Sequence, residues 1–304
     1  MLTASFRYFT GTVSVLVYLF NTLFWVVPIV LLSFLKLVPV KPWQTFISHL
    51  LDGCATFWIS VNSANQNVFS RTQIDVTGDH QLSQKDWYLV ISNHQTWVDI
   101  LVLQRTFNRK IPFLKFFLKK ELIWVPFLGI AWWALDFPFM QRYTKAFLEK
   151  NPHLKGKDLE STRKACEKFR VKPVSIMNFL EGTRWTEKKH QKQNNQYTHL
   201  LNPRAGGMAF VLSAMGDQLH KLLDVTIYYP DGVPTFWDFV CGKVQNVQVQ
   251  IKIQSIEELI NSDTFSMDYF DNPAQRTRFQ QWINEIWLNK DQDIKNLASE
   301  QTLN

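Results

Sequence analysis

The stretch Tyr88-Leu-Val-Ile-Ser-Asn-His-Gln-Thr-Trp-Val-Asp99 joins an apolar run directly to a polar turn. Trp87 to Ser92 has the composition of a buried β-strand, and Trp97 to Phe107 has the apolar spacing of a helix. Residues on a connection after a strand are often those that bind and react. On one continuous helix His94 and Asp99 would point apart, so the sequence predicts a bend between them.

The predicted bend makes His94 and Asp99 a candidate general-base pair. A carboxylate near the helix start would hold one imidazole nitrogen while the other nitrogen faces a substrate hydroxyl. A neutral imidazole can accept a proton near pH 7, and the carboxylate stabilises the imidazolium that forms. A metal site is the less favoured interpretation, because no third ligand follows at a suitable spacing.

A second polar cluster, Phe179-Leu-Glu-Gly-Thr-Arg-Trp185, follows the predicted strand Ser175 to Phe179. Gly182 permits close backbone approach, and Thr183 adds a hydroxyl. Arg184 carries a planar fork of donors that suits a phosphate. The pattern predicts a clamp for the anionic end of a substrate.

An aromatic segment between the two clusters, Phe137-Pro-Phe-Met-Gln-Arg142, ends in a further arginine. Arg142 is therefore a second candidate phosphate contact. The preceding apolar run, Leu122 to Leu135, is predicted to lie against acyl chains or a bilayer surface. The nearby basic group around Lys115 is either a solvated face or a contact for anionic lipid or CoA phosphates.

The N-terminal region is predicted to anchor the chain to a membrane. The run Val13 to Leu35 contains no charged residue. Its length is about what a helix needs to cross the hydrocarbon core. Pro28 leaves a kinked, shallow hairpin as an alternative to a full crossing. Pro42 to Asn62 has the spacing of an amphipathic helix. We therefore predict an anchor over residues 1–68 and one catalytic domain over 69–304.

Short strand-like runs alternate with helical ones after residue 69, which predicts an α/β (mixed α+β) domain with a sheet flanked by helices. The further strands are predicted at Thr72 to Val76, Asp224 to Tyr229 and Val247 to Gln254, and the further helices at Asp158 to Arg170, Ala205 to Met215 and Ala274 to Leu288. The net charge of +7 favours anionic partners. Three scattered cysteines suggest a reducing compartment and no disulfide framework.

Together, Asn93-His-Gln-Thr-Trp-Val-Asp99 and Phe179-Leu-Glu-Gly-Thr-Arg184 resemble the motifs of the 1-acylglycerol-3-phosphate acyltransferases, also called lysophosphatidic acid acyltransferases. The resemblance covers roughly residues 87–230. The His-x-x-x-x-Asp motif is weak alone, but it is specific when a Glu-Gly-Thr-Arg turn follows in this order.

This resemblance implies acyl transfer from acyl-CoA or acyl carrier protein to a lysophospholipid hydroxyl, with His94 as base and Asp99 orienting it. The substrate hydroxyl attacks the thioester itself, so no cofactor, metal or protein nucleophile is expected. The implied phosphate-binding set is Arg142, Glu181, Gly182, Thr183 and Arg184. Asp224 stands where the family commonly has a proline, which resembles a branch that acts on lysophosphatidylglycerol or lysophosphatidylinositol.

Two other classes stay open from the sequence: a lipid hydrolase and a non-catalytic lipid-binding membrane protein. Ser92 suggests a Ser-His-Asp hydrolase, but it lacks the Gly-x-Ser-x-Gly turn. A nucleic-acid role has no fold motif behind it. The expected partners are a lysophospholipid, the acyl donor and a bilayer, and the expected location is the inner (cytoplasmic) membrane with the site facing the cytoplasm.

Overall fold

Two long helices form the N-terminal part of the protein. In a computed structural model the chain is described over residues 4–78, 81–140, 169, 172–193 and 196–302. Helix α1 spans Ala4–Leu35, continuing through Pro28, and α2 spans Lys41–Asn65 before a single π-helical turn at Gln66–Ser70. By length and composition, α1 is the one helix within these ranges that could cross a membrane.

The two helices pack against each other as an antiparallel hairpin through polar side chains. Asn21 donates from Nδ2 to Asn62 Oδ1 at 2.8 Å, and Asn65 donates to the Ser14 carbonyl at 3.2 Å. Small and polar residues on the buried stripe of α1 let the backbones approach, as they do between helices in lipid. The opposite side of α1 exposes large apolar residues such as Phe20 and Phe24. Such a helix is consistent with membrane association.

A six-stranded mixed sheet is formed by strands that follow the hairpin in the chain. Its strands are β1 (Gln73–Gly78), β2 (Tyr88–Ser92), β3 (Leu114–Phe116), β6 (Ser175–Phe179), β7 (Lys221–Tyr228) and β8 (Asn246–Ser255), and a separate pair joins β4 (Leu118–Lys119) to β5 (Phe139–Met140). The large sheet has the order β1-β8-β7-β2-β6-β3, with β7 and β8 antiparallel and the other pairs parallel. The sheet flanked by helices and preceded by an apolar helix confirms the predicted fold class.

Helices cover both faces of the sheet. They are α3 (Val98–Phe107), α4 (Leu128–Ala134), α5 (Glu187–Gln193), α6 (Ala205–Met215), α7 (Phe236–Val240), α8 (Ile256–Asn261) and α9 (Pro273–Thr302), with a 3-10 turn at Lys120–Trp124. The core on one face joins α6, α8 and α9, and the core on the other joins α3 and α7. Helix α1 contacts this second core through Val15 and Tyr18. Helix α1 therefore packs directly on the part of the protein that contains the sheet.

All five predicted strands are confirmed, with ends shifted by a few residues, and α6 has its predicted bounds. One helix was not predicted, and another was predicted too short. The polar stretch after Thr186 is helix α5, because its Glu, Lys and Gln residues form helix without an apolar stripe. Helix α9 continues well past Leu288, because buried Lys290 and Asp291 pack through polar contacts that no apolar pattern reveals. The predicted helix Asp158 to Arg170 lies outside the described residues, Phe169 excepted.

Candidate active site

Parallel strand ends bring the two sequence motifs to one edge of the sheet. Strands β2, β6 and β7 run parallel, so their carboxyl ends lie at the same edge of the sheet, with Ser92 paired with Phe179 of β6 and Val225 of β7. The helix after β2 packs on one face and α6, after β6, packs on the other. Where the helices that follow neighbouring strands pack on opposite faces of an α/β sheet, a crevice opens at the strand ends, and ligands bind in it.

Asn93 extends the pairing of β2 with β7 through its side chain. Its Nδ2 donates to the Ile227 carbonyl and its Oδ1 accepts from the Ile227 N–H, both at 2.9 Å. The Asn93 side chain thus takes the place of a backbone pair between β2 and β7, and the backbone at Asn93 is free to turn away from β7. This turn is the bend that the sequence predicts before α3.

His94 and Asp99 are hydrogen-bonded at the start of α3. The distance from His94 Nδ1 to Asp99 Oδ2 is 2.9 Å, and the aspartate side chain is fully buried while the imidazole keeps 12% of its surface exposed. With Nδ1 engaged, Nε2 is the nitrogen left for a substrate proton. The predicted contact between these two residues is therefore present in the fold.

Asp99 is held by three further donors. The backbone N–H groups of Gln95 and Thr96 donate to Oδ2 at 2.6 and 2.9 Å, and the Tyr229 hydroxyl donates to Oδ1 at 2.6 Å. Burial raises the pKa of Tyr229 well above its usual value, and the Asp99 charge adds to this effect. The phenol therefore stays a donor, and it fixes the carboxylate that orients His94.

The imidazole of His94 also stacks on an aromatic ring. The ring centroids of His94 and Phe179 are 3.9 Å apart with an angle of 12° between their planes. Phe179 is the last residue of β6 and the first residue of the second motif. The sequence analysis missed both Tyr229 and Phe179 as site residues. Both residues lie at the ends of predicted strands, and this position is the sequence signal that could have identified them.

Glu181 joins the two motifs and does not line the groove. Its side chain is buried, and its Oε1 accepts from the His94 backbone N–H at 3.3 Å. The backbone N–H of Trp185 donates to the His94 carbonyl at 2.8 Å and adds a second link between the two motifs. Burial raises the pKa of Glu181 to about 8, so its carboxyl is mostly neutral at pH 7. The predicted phosphate contact does not fit this position, because the carboxyl faces protein and not a ligand.

Gly182, Thr183 and Arg184 are on the surface of the same turn. Gly182 has φ +68°, a left-handed conformation that favours glycine. The Arg184 guanidinium carbon lies 4.5 Å from the centre of the Trp97 ring, which belongs to the first motif. Thr183 Oγ1 accepts from Lys189 Nζ at 2.7 Å. Lys189, on α5, is a cation that the sequence analysis did not assign to the site.

One groove of about 630 Å³ contains His94, Trp97, Gly182, Thr183 and Arg184 along its wall. The rest of the wall is mostly apolar and includes Trp25, Ile29, Ile100, Phe116, Leu128 and Leu135. The hairpin α1–α2 therefore supplies part of the groove. Of the predicted apolar run, Leu122, Leu128 and Trp132 face the groove, whereas Trp124 is 85% exposed.

Three other residues were selected from the sequence. Arg142 falls outside the described residues. Lys115 is buried, so the basic group around it is not one continuous solvated face. Asp224 is in an ion pair with Lys290 of α9, with 2.6 Å between Oδ1 and Nζ, and it does not line the groove.

A family model described as Acyltransferase matches residues 73–229, more than half of the chain. The chain therefore belongs to the acyltransferase family, as the two motifs predict. Lysocardiolipin acyltransferase 1 of Danio rerio is 23% identical over 261 residues, which cover 81% of this chain and 61% of that protein. The 1-acyl-sn-glycerol-3-phosphate acyltransferase delta of Mus musculus is 24% identical over 218 residues, covering 68% and 52%.

The fold has a solved counterpart. The 1-acyl-sn-glycerophosphate (LPA) acyltransferase PlsC from Thermotoga maritima aligns with a TM-score of 0.53 and 14% identity, covering 96% of this chain and 97% of that chain. This likeness supports the same fold, including the N-terminal helices. The chain spans between half and two thirds of the length of the two curated relatives described above.

Proposed function

We propose that this protein transfers a fatty acyl group from acyl-CoA or acyl carrier protein to the free hydroxyl of a lysoglycerophospholipid, such as lysophosphatidic acid. The observation that carries the proposal is that His94 and Arg184 line one groove whose remaining wall is apolar. An imidazole base, an anion contact and an apolar surface are what a hydroxyl, a phosphate and acyl chains require.

In the proposed reaction, His94 Nε2 takes the proton of the acceptor hydroxyl as its oxygen attacks the thioester carbonyl. A C–O bond forms, the C–S bond breaks, and the proton passes from the imidazolium to the departing thiolate. Asp99 keeps the imidazole oriented and stabilises its positive charge. The negative charge of Asp99 is in turn held by Tyr229 and two backbone N–H groups.

The acceptor phosphate is proposed to contact Arg184, with Thr183 and Gly182 on the same turn. Lys189 adds a second positive charge 2.7 Å from the Thr183 hydroxyl. The names of the relatives include 1-acyl-sn-glycerol-3-phosphate and lysocardiolipin as acceptors, which agrees with an anion contact here. Glu181 is proposed to position the backbone of His94 and not to bind phosphate.

The proposed location is the inner (cytoplasmic) membrane, with the groove on the cytoplasmic side where acyl-CoA and acyl carrier protein are available. Apolar α1 supports attachment to a bilayer, and it forms part of the groove wall. An acyl chain could then pass from the bilayer to the groove without crossing water. Free Cys54 and Cys241 are compatible with a reducing compartment.

The hydrolase alternative has no support at Ser92. Its side chain is fully buried, its Oγ lies 3.4 Å from Asn93 Oδ1, and it does not line the groove. A serine in this position cannot reach an acyl carbonyl in the groove. No observation in the described part of the chain favours a protein nucleophile.

The test is to incubate purified full-length protein in lipid nanodiscs with labelled acyl-CoA or acyl carrier protein and a panel of lysophospholipids. Diacyl product is expected with at least one donor. Release of free fatty acid without diacyl product would show a hydrolase, and lipid retention without turnover would show a binding protein. The same panel identifies the head group and the donor.

A further inference from the structure

A second cavity, of about 490 Å³, lies where α1 ends and α2 begins. Lys36, Lys41, Lys115 and Lys172 all line it. It is separate from the catalytic groove because neighbouring residues of β3 point to opposite faces of the sheet. Lys115 faces this cavity, whereas Phe116 faces the groove.

Lys115 is the buried member of the group. Its Nζ donates to the Leu135 carbonyl at 2.8 Å, the one acceptor that it reaches within the described ranges, and lies 5.1 Å from the centre of the Phe169 ring. An ammonium has three N–H donors, so most of its capacity is unused. Burial lowers the pKa of Lys115 to about 8, while the nearby charges of Asp52 and Asp136 act to raise it.

The cavity carries an excess of positive charge. Lys36 is paired with Asp136 and Lys172 with Asp52. Lys41 pairs with no carboxylate in the part of the chain that the structure describes. Among the described residues, four ammonium groups that line the cavity and the two carboxylates paired with them leave a charge of about +2, which suits a phosphate. Gln44, Thr45 and Ser48 of α2 also line the cavity and offer polar groups to phosphate oxygens.

The position of the cavity suits a lipid. Lys36 is the first charged residue after the uncharged run Val13 to Leu35, so the cavity opens at the end of the apolar surface of α1. Leu37 and Trp133 also line it, and they expose 64% and 47% of their surface. Basic groups just beyond an apolar helix meet the head groups of anionic lipids.

We propose that this cavity binds the phosphate of an anionic phospholipid, such as phosphatidylglycerol, as a resident lipid separate from the acceptor and product in the groove. The four lysines hold the phosphate, and the acyl chains lie along the exposed apolar residues of α1. The bound lipid fixes the turn between α1 and α2. This inference is independent of the acyl-transfer reaction.

The test uses native mass spectrometry of the full-length protein in detergent, titrated with phosphatidylglycerol or with phosphatidylcholine. The wild type is expected to retain one phosphatidylglycerol and to bind phosphatidylcholine more weakly. The variant Lys36→Gln with Lys41→Gln should bind phosphatidylglycerol roughly tenfold more weakly. The matched control, Lys252→Gln with Lys295→Gln, removes the same charge at exposed positions that do not line the cavity and should bind as the wild type does.

Four results would overturn the proposal. The first is undiminished lipid binding in the Lys36→Gln, Lys41→Gln variant, and the second is an equal loss in the control. The third is loss of the retained lipid in Arg184→Ala, which would put that lipid in the catalytic groove. If inorganic phosphate alone displaces phosphatidylglycerol at equal concentration, the cavity is a free-phosphate site and the lipid assignment fails.

Discussion

The two motifs that form the site differ in how completely the protein holds them. Asp99 accepts four hydrogen bonds, and its side chain is fully buried beside an imidazole that is only 12% exposed. The turn at Gly182 and Arg184 is exposed, and the guanidinium lies on the open face of Trp97. The base is therefore fixed before substrate arrives, whereas the anion contact is completed by the substrate.

This difference separates the expected kinetic effects of substitutions. Groups that are already fixed around His94 act in the transition state, so their loss should lower kcat. The phosphate that Arg184 is proposed to bind is present in both ground and transition states, so loss of Arg184 should raise KM. A variant that breaks this division would show that the two motifs do not play separate roles.

The largest effect is expected for His94→Ala. Removing the general base should lower kcat by about 100- to 10,000-fold, because no other group in the described groove can replace its Nε2. The measurement is acyl transfer under saturating donor and acceptor. The control His190→Ala removes an imidazole that binds the Tyr197 carbonyl outside the groove and should keep activity. Full activity in a folded His94→Ala protein would defeat the assignment.

Arg184→Ala should raise the acceptor KM roughly tenfold or more with a smaller change in kcat, since a charged hydrogen bond contributes about 1.5–3 kcal/mol. The exposed Arg278, which lies near Asp263 away from the groove, provides the control Arg278→Ala. An unchanged acceptor KM would move the phosphate contact to another residue. A fall in kcat alone would instead place Arg184 with the base.

Tyr229→Phe is expected to lower kcat by a smaller factor, on the order of several-fold, because Asp99 keeps its two backbone donors. It should also lower thermal stability, since a buried carboxylate loses one donor. Tyr228→Phe is the matched control, because Tyr228 packs on the core at the opposite face of the sheet from Tyr229. Equal kinetics in the two variants would remove Tyr229 from the site.

The smallest effect is expected for Glu181→Gln, and it concerns pH. Because the pKa of Glu181 is raised to about 8, the folded protein binds this proton more tightly than the unfolded chain does. Its contribution to stability is therefore full below the unfolded pKa, near 4.5, and is lost as pH rises toward 8. In Glu181→Gln, the free energy of unfolding should fall less steeply with rising pH over this range than it does in the wild type.

Urea unfolding at several pH values measures this slope. The control Glu187→Gln removes an exposed carboxylate on α5 and should leave the slope of the wild type unchanged. A wild-type stability that does not fall between pH 5 and 8 would contradict the raised pKa. The absolute stability of Glu181→Gln decides nothing, because the new amide N–H₂ group is itself buried.

The parts of the fold with strong local patterns could be predicted. Apolar runs gave the five principal strands, and the absence of charge from Val13 to Leu35 gave α1. Short strands such as β3 to β5 and the polar helix α5 were not predictable, because they depend on their neighbours and not on an apolar period. The burial of Lys115 had no local sign at all.

The sequence by itself was enough to predict the chemistry proposed for the site, because the order and spacing of His94, Asp99 and Arg184 match the motifs of a base, its orienting carboxylate and an anion contact. Only the tertiary structure decided that Tyr229 holds Asp99, that Glu181 turns inward and that α1 lines the groove. These contacts join residues far apart in the chain. Their existence depends on parallel strands ending at one edge, which local sequence patterns do not specify.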